Sequence, residues 1–462
     1  MQTMEFDRDR IRSHVPGIEW PALPDGNAGA LMALLWQYER TQWLSREEIE
    51  ALQFRQLGAL LSHAYRTVPF YRERLAQAGY APWRALTRET WNAIPVLERA
   101  ELQEAGEKLH STALPKSHGA ARTIRSSGST GRPVEALTTG ITRLVWSALK
   151  LRDHAWHRRD LKGRHGAIRV LERDAGGEKP AVAQRGWGRT EEALFETGPS
   201  YGLSLTATIA GQAAWLARVD PHYLVAFPSA LQDLILHCRD KGVRPKSLRE
   251  VRTLSEPVEP ELRALCRAEW GVPIADMYSA RETGYLALQC PAHEVLHVQA
   301  ESVLVEAIAP DGRGCGPGEM GRAVVTPLAN FAMPLVRYDV GDFIELGPPC
   351  DCGRGLPVIR RVLGRVRNMV TMPNGERFWP QFSALRYAEV LPVRQHQIAQ
   401  VALDRLEVRL VADRRGTPEE EQKLREMIVQ RIGYPFQIGF TYTDRIPRGR
   451  GGKFEEFRSE LP

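Results

Sequence analysis

The sequence predicts an α/β protein, with a large layered N-terminal domain over residues 1–364 and a small α+β C-terminal domain over 365–462. Three observations carry this expectation. Residues 30–110 set apolar and charged side chains at helical spacing. Residues 120–345 alternate short β-branched or apolar runs with helical stretches, the pattern of layered α/β architecture. After Gly364 the pattern becomes half-buried strands around one charged helix.

The elements follow in order. Ser45-Arg46-Glu47-Glu48 fits a capping box, with Ser45 accepting from backbone N–H groups and Glu48 reaching back, so a helix starts there. Tyr223-Leu224-Val225-Ala226-Phe227 reads as a strand and Ala230 to Asp240 as the helix after it. Leu406, Val408 and Leu410 alternate with polar residues and predict a half-buried strand over 405–411. A charged helix is expected from about Thr417, and another strand from Phe436 to Tyr442. Neither an internal repeat nor a low-complexity segment is present.

Composition bounds the function. A chain of 462 residues can hold two or three domains with substantial cores, and 43% apolar with 26% charged residues is ordinary for a globular protein. The charged N-terminus lacks a signal-peptide core and no apolar run is long enough for a bilayer, so the expectation is a cytoplasmic protein without a membrane partner. A net charge of +6 permits an anionic small molecule. It does not argue for nucleic acid, because no basic run is interleaved with aromatics.

One segment stands out chemically: Ser126-Ser127-Gly128-Ser129-Thr130-Gly131-Arg132-Pro133. Its glycines let backbone N–H groups turn toward an anion, and its hydroxyls and Arg132 add donors, which suits a triphosphate. It is not a Walker A loop, since no Lys follows Gly131. Downstream come Tyr278-Ser279-Ala280-Arg281-Glu282-Thr283-Gly284, then Arg337-Tyr338-Asp339-Val340-Gly341-Asp342. Gly364-Arg365-Val366-Arg367-Asn368 and Gly452-Lys453-Phe454 follow.

Taken in this order, the five segments resemble the motifs of the adenylate-forming enzymes, the superfamily of acyl-CoA synthetases, peptide-synthetase adenylation domains and luciferases. Leu52 to Leu57, His63 to Tyr71 and Ile94-Pro95-Val96-Leu97 resemble the leader of its phenylacetate–CoA ligase branch. The resemblance implies a mobile C-terminal domain and two half-reactions. A carboxylic acid reacts with ATP to give acyl-AMP and pyrophosphate, and coenzyme A then displaces AMP. The branch suggests an aromatic or arylacetic acid, with 196–210 helping to form its pocket. A carrier-protein thiol or an amine is the alternative acceptor, a degenerate nucleotide-binding domain a lesser one, and the expected state is a monomer or homodimer.

Residue by residue, the resemblance implies that 126–132 holds the β- and γ-phosphates and that Glu282 binds Mg²⁺. It gives Asp342 the ribose, Arg365 the ribose or phosphate, and Tyr278 the adenine pocket. Ser255-Glu256-Pro257 falls where the family contacts adenine. Arg281 departs from the usual Ser or Thr near the α-phosphate, though a guanidinium can also bind phosphate. Only nine of the 62 basic residues are lysines, and past Lys246 only Lys423 and Lys453 remain. Lys453, after a glycine-rich approach, is the expected catalytic lysine; Lys423 reads as a solvated helix residue.

The cysteines suggest a further site. Cys350-Asp351-Cys352 and the upstream Cys290 are more apt to bind metal than to form disulfides in a cytosolic chain. Three thiolates and an imidazole would make a closed, structural Zn²⁺ site. The C-x₆-H…C-x-C pattern of some branch members points to His297, while His293 offers a shorter spacing, and both stay open. Cys238 and Cys266 read as helix-face packing residues and Cys315 as a loop residue.

Overall fold

The computed structural model describes residues 11–125, 133–171, 182–380, 382, 384–449 and 452–461. They form two compact units. One is drawn from Met1–Gly163, Gln184–Ser200 and Asp276–Val362, the other from Arg164–Ala183, Tyr201–Ala275 and Leu363–Pro462.

The first unit opens with helices Gly26–Thr41, Arg46–Thr67, Pro69–Gln77, Arg88–Ala93 and Arg99–Ala105. Both hydrogen bonds of the Ser45–Glu48 capping box are made, so the second helix starts where the sequence places it. It ends because Pro69 opens the next helix at its first turn, where a missing N–H does no harm. Its buried stripe includes Ile49, Leu57, Leu60, Leu61 and Ala64. Leu57 and Leu61 join Leu286, Leu288, Val325 and Tyr338 in one core, each buried Leu contributing about 1.5–3 kcal/mol.

Residues 277–365 depart from the expected alternation of strands and helices: the named elements over this span are all strands. Seven form one sheet. Its order is Val303–Ile308, Met320–Pro327, Tyr338–Leu346, Val358–Arg365, Leu296–Val298, Gly284–Gln289, Met277–Ala280. Consecutive strands such as Val303–Ile308 and Met320–Pro327 pair antiparallel, which needs only short turns. The register shifts between Arg322 and Val324, and again between Tyr285 and Ala287. Such bulges bend a strand and increase its twist.

The second unit has a six-stranded sheet in the order Val182–Gln184, Ser200–Ser204, His165–Arg169, Tyr223–Ala226, Glu250–Thr253, Ile274–Ala275. His165–Arg169, Tyr223–Ala226, Glu250–Thr253 and Ile274–Ala275 run parallel. Helices Ile209–Val219, Pro228–Asp240 and Pro260–Trp270 make the crossovers that parallel strands require. Cys238 and Cys266 are fully buried on two of these helices, as the packing reading expects.

Past Leu363 a separate core forms around Val370, Leu406, Val408, Leu410, Leu424 and Ile428. The expected strands appear as Arg405–Ala412 and Gln437–Tyr442, and the charged helix as Pro418–Ile432 with Thr417 as its cap. Lys423 is exposed on that helix. The four-stranded sheet runs Gln437–Tyr442, Arg405–Ala412, Val393–Ala402, Phe457–Ser459, antiparallel at its centre and parallel at both edges. Among the described residues, no helix is long and apolar enough to cross a membrane.

His396, on Val393–Ala402, is 1% exposed, and neither ring nitrogen has a hydrogen-bond partner. Tyr387 packs edge-on against it at 4.9 Å. Burial holds its pKa down at about 3, so the folded chain keeps it neutral where the unfolded chain takes a proton. Its contribution is intact above the ordinary histidine range near pH 6.5 and is lost as pH falls from there toward 3, at about 1.4 kcal/mol per pH unit. In thermal melts, His396→Leu is expected to gain on the unmodified chain steadily from pH 7 to pH 4. Parallel profiles for the two proteins would contradict this.

Candidate functional site

Within the first unit, the turn from Met277–Ala280 into Gly284–Gln289 carries Arg281, Glu282 and Thr283. Gly284 has φ +80°, and a Cβ placed there would lie 2.1 Å from Trp146 Nε1, so the turn closes only around a glycine. Glu282 is 6% exposed and its Oε1 accepts from Tyr338 Oη at 3.2 Å. Burial, helped by the Glu282 charge, pushes the Tyr338 phenol well up, so it stays a donor. Tyr278 Oη in turn donates to Asp342 Oδ2 at 3.0 Å. Asp342 follows Gly341, whose φ is +83° and whose N–H donates to Asp339 Oδ1 at 2.7 Å.

These two bonds reveal the shape of the sheet. Met277–Ala280 and Tyr338–Leu346 are four positions apart in strand order, about 19 Å across a flat sheet. A tyrosine and an aspartate cannot span that distance. The sheet therefore curls toward closure, and the bulges at Tyr285 and Arg322 supply bends that permit it.

The hydroxyl-rich loop Ser126, Ser127, Gly128, Ser129, Thr130, Gly131 and Arg132 lies outside the described residues. Its stem is described: Arg122–Arg125 pairs antiparallel with Glu135–Thr138, closing on the pair Arg125 and Glu135. Arg281 Nη1 donates to the Arg125 carbonyl at 3.0 Å. The residue that replaces the family's Ser or Thr thus grips the base of the loop, a role the sequence did not suggest.

The second unit places its own predicted residues. Ser255, Glu256 and Pro257 follow strand Glu250–Thr253, at the carboxyl edge of a parallel sheet where α/β proteins commonly bind ligands. Ser255 sits at φ +72°, unusual for a side-chain-bearing residue. Glu256 is 8% exposed. Its Oε2 accepts from Ser229 N at 3.0 Å and Ser229 Oγ at 2.7 Å, and its Oε1 accepts from Phe454 N at 2.6 Å. The carboxylate expected at adenine is thus engaged by protein donors, one of them next to Lys453. Lys453 itself is half-buried. Arg365 ends strand Val358–Arg365; its N–H donates to Asn368 Oδ1 at 3.3 Å, and its carbonyl accepts from Trp379 Nε1 at 3.1 Å. Asn368 Nδ2 also donates to the Phe457 carbonyl at 2.7 Å, which ties the hinge segment to the C-terminal sheet.

Back in the first unit, one ligand atom each from Cys290, His297, Cys350 and Cys352 lies within 4.8 Å of the others. Three sulfurs and one imidazole nitrogen match a tetrahedral zinc donor set. His297 Nε2 faces Cys352 Sγ at 3.3 Å, while Nδ1 lies 3.4 Å from the Leu356 carbonyl, a contact that favours the proton on Nδ1 and would leave Nε2 free to bind a metal. His293 Nδ1 also lies 3.2 Å from Cys350 Sγ and 3.7 Å from Cys290 Sγ, though the four-ligand group that closes is the one with His297, and His293 groups with Cys350 and Asp351. Burial raises the thiols, yet bonds from His297 and Arg354 overcome it at Cys352 and bring it down to about 5. Cys290 falls to about 7 by the same opposition of burial and His297. Cys352 and Cys290 thus present thiolate readily, whereas burial and the neighbouring Cys352 and Cys290 push the Cys350 thiol up to about 12, so it would give up its proton only on binding a metal.

The model of the CapK C-terminal domain matches residues 384–459. The chain is 26% identical over 448 residues to phenylacetate–coenzyme A ligase of Thermus thermophilus, covering 89% of this chain and 96% of that one. The Escherichia coli protein of the same name is 25% identical over 436 residues, covering 88% and 94%. The fold is similar to that of 2-hydroxyisobutyryl-CoA ligase in the postadenylation state, with a TM-score of 0.70, 18% identity and 91% of each chain covered. The chain is thus similar nearly end to end to phenylacetate–coenzyme A ligases and shares the fold of an acyl-CoA ligase that forms an acyl-adenylate.

Proposed function

We propose that this chain is an AMP-forming acid–coenzyme A ligase and that its acid is aromatic or arylacetic. The observation that carries the reading is the turn 281–284. It grips the stem of the hydroxyl-rich loop through Arg281 and carries Glu282, fixed by Tyr338, while Tyr278 beside it fixes Asp342. Phenylacetate–coenzyme A ligases of four organisms are 24–26% identical to the chain, which supports the acid class.

In the first half-reaction a carboxylate oxygen of the acid bonds to the α-phosphorus of ATP, the bond to the β-phosphate bridging oxygen breaks, and pyrophosphate leaves. Both reactants are anions, so donors and cations must stand where charge collects. Residues 126–132 would hold the β- and γ-phosphates and Asp342 would accept from the ribose hydroxyls, with Tyr278 lining the adenine pocket and Arg365 at the ribose or phosphate. Glu282 would hold Mg²⁺, which neutralises phosphate charge when bound. Lys453 would balance the negative charge between carboxylate and α-phosphate. In the second half-reaction the coenzyme A thiol sulfur bonds to the acyl carbon and AMP leaves, the thiol proton passing to solvent. Cys290, His297, Cys350 and Cys352 would hold Zn²⁺ with no open position, so the ion ties loops and takes no part in the reaction.

ATP–pyrophosphate exchange, screened over arylacetic, aromatic and short aliphatic acids, tests the proposal. Exchange that depends on an arylacetic or aromatic acid is the expected result, and dependence on aliphatic acids alone would reject the acid class. With the active acid, Lys453→Ala is expected to lower exchange on the order of 10²–10³-fold, as loss of a charge-stabilising donor does. Thioester formation from supplied acyl-adenylate should be nearly unaffected; equal loss in both steps would refute the role given to Lys453. Asp342→Ala is expected to raise KM for ATP on the order of tenfold while leaving KM for the acid alone, consistent with loss of a charged hydrogen bond. Elemental analysis should give about one zinc per chain, lost in Cys352→Ala. Full zinc retention in that variant would remove Cys352 from the ligand set.

A further inference from the structure

The peptide units on both sides of Lys453 are pinned. Gly449 N donates to the Lys453 carbonyl at 2.9 Å, and Gly452 N donates to the Gly449 carbonyl at 2.8 Å. Arg448 Nη1 donates to the Gly452 carbonyl at 3.3 Å, just before the lysine, and Phe454 N donates to Glu256 Oε1 at 2.6 Å, just after it. Arg448 also reaches Ser229 Oγ at 2.6 Å and Glu256 Oε1 at 3.4 Å, with its guanidinium 5.4 Å from the Phe454 ring centre. Gly452 has φ +78°, and a Cβ there would come within 2.6 Å of Val170 Cγ2. The loop therefore seats against the second unit's parallel-sheet region at one depth.

Glu256 is the centre of this arrangement. Its carboxylate takes the first N–H of helix Pro228–Asp240, that of Ser229, and the N–H after Lys453. A buried carboxylate with one cation and several donors is held far more firmly than a surface ion pair. Burial pushes its pKa up, and Arg448 with the Ser229 and Phe454 donors pulls it back.

We infer that Glu256, Ser229 and Arg448 form a clasp that positions Lys453 for adenylation, and that Glu256 is a positioning residue and not an adenine contact. The inference rests on the proposed ligase function. A misplacement of about 1 Å at a catalytic group can reduce rate on the order of 10²-fold, so a loosened clasp acts on the turnover of the first step. The second step does not use the lysine and is spared.

The test compares the unmodified chain with Glu256→Gln, Arg448→Ala, their double variant and Ser229→Ala, which deletes one hydroxyl and is the mildest change. Exchange is measured with ATP and the active acid, and thioester formation with the corresponding synthetic acyl-adenylate and coenzyme A. Glu256→Gln and Arg448→Ala should each lose on the order of 10²-fold in kcat for exchange, Ser229→Ala several-fold, with KM for ATP changed less than about threefold. Thioester formation should stay within about threefold, and the double variant should be no worse than the poorer single, because both break one clasp. Trypsin cleavage after Lys453, an activity-independent reading, should quicken in Glu256→Gln and Ser229→Ala. Three results would overturn the clasp: a rise in KM for ATP with kcat intact, equal loss in both half-reactions, or unchanged exchange and cleavage. Absence of exchange by the unmodified chain with every acid would instead overturn the ligase reading, and the role of the clasp with it.

Discussion

The curl of the seven-stranded sheet is the constraint on which the first unit's candidate residues depend. Tyr278 and Asp342 sit four strand positions apart yet bond at 3.0 Å, and Tyr338 reaches Glu282 at 3.2 Å in the same way. The narrowest point of the sheet is Leu296–Val298, three residues between Val358–Arg365 and Gly284–Gln289. So short a strand forms few ladder bonds, and the structure reinforces it from its ends. The Val298 N–H donates to the Pro357 carbonyl, and Gln299 Nε2 donates to the His297 carbonyl. Cys290, His297, Cys350 and Cys352 gather the loops at one end, where a bound ion would add far more than a single hydrogen bond. The cysteine–histidine cluster and the tyrosine–carboxylate pairs are thus two consequences of one bent sheet.

The second unit solves a different problem, the placement of a cation on a loop. Glycine-rich loops reach into clefts because their backbone is permissive, and for the same reason they hold no fixed position unaided. The described part of this loop is fixed from within by the Gly449–Lys453 and Gly449–Gly452 bonds, and from outside by Glu256. On the proposed function, a lysine that acts in one half-reaction and withdraws in the next would benefit from such a hold. Hydrogen bonds through one carboxylate can be made and broken together, whereas a large apolar interface could not. Arg281 serves its own loop similarly, through the Arg125 carbonyl at the base of the hydroxyl-rich segment.

Local signals were legible in the sequence wherever a short stretch decides its own conformation. The Ser45–Glu48 box, the alternation of Leu406, Val408 and Leu410, and the Thr417 start of the charged helix all appear where their chemistry puts them. Strand Val393–Ala402 escaped notice because His396, Gln397 and Gln400 are buried polar residues that mask its periodicity. The curl is invisible in the sequence because it depends on bulges and on partners more than fifty positions apart, as with Tyr278 and Asp342. The clasp is hidden for the same reason: Arg448 lies 219 positions from Ser229 and 192 from Glu256. The motif order singled out Glu282, Asp342 and Lys453 in the sequence, since motifs record chemistry that spacing alone cannot. For Glu256 the motif suggests a nucleotide contact, and the hydrogen bonds of its carboxylate add a neighbour of the lysine, from which the clasp is proposed.

The central claim is that this chain joins an acid to a thiol through an acyl-adenylate. A rapid-quench single turnover with α-labelled ATP and the active acid, first without coenzyme A and then with a coenzyme A chase, tests it most directly. The account predicts an enzyme-bound acyl-AMP that accumulates before the chase and converts to AMP and thioester after it. Label recovered as ADP, or thioester formed with no acyl-AMP preceding it, would contradict the account.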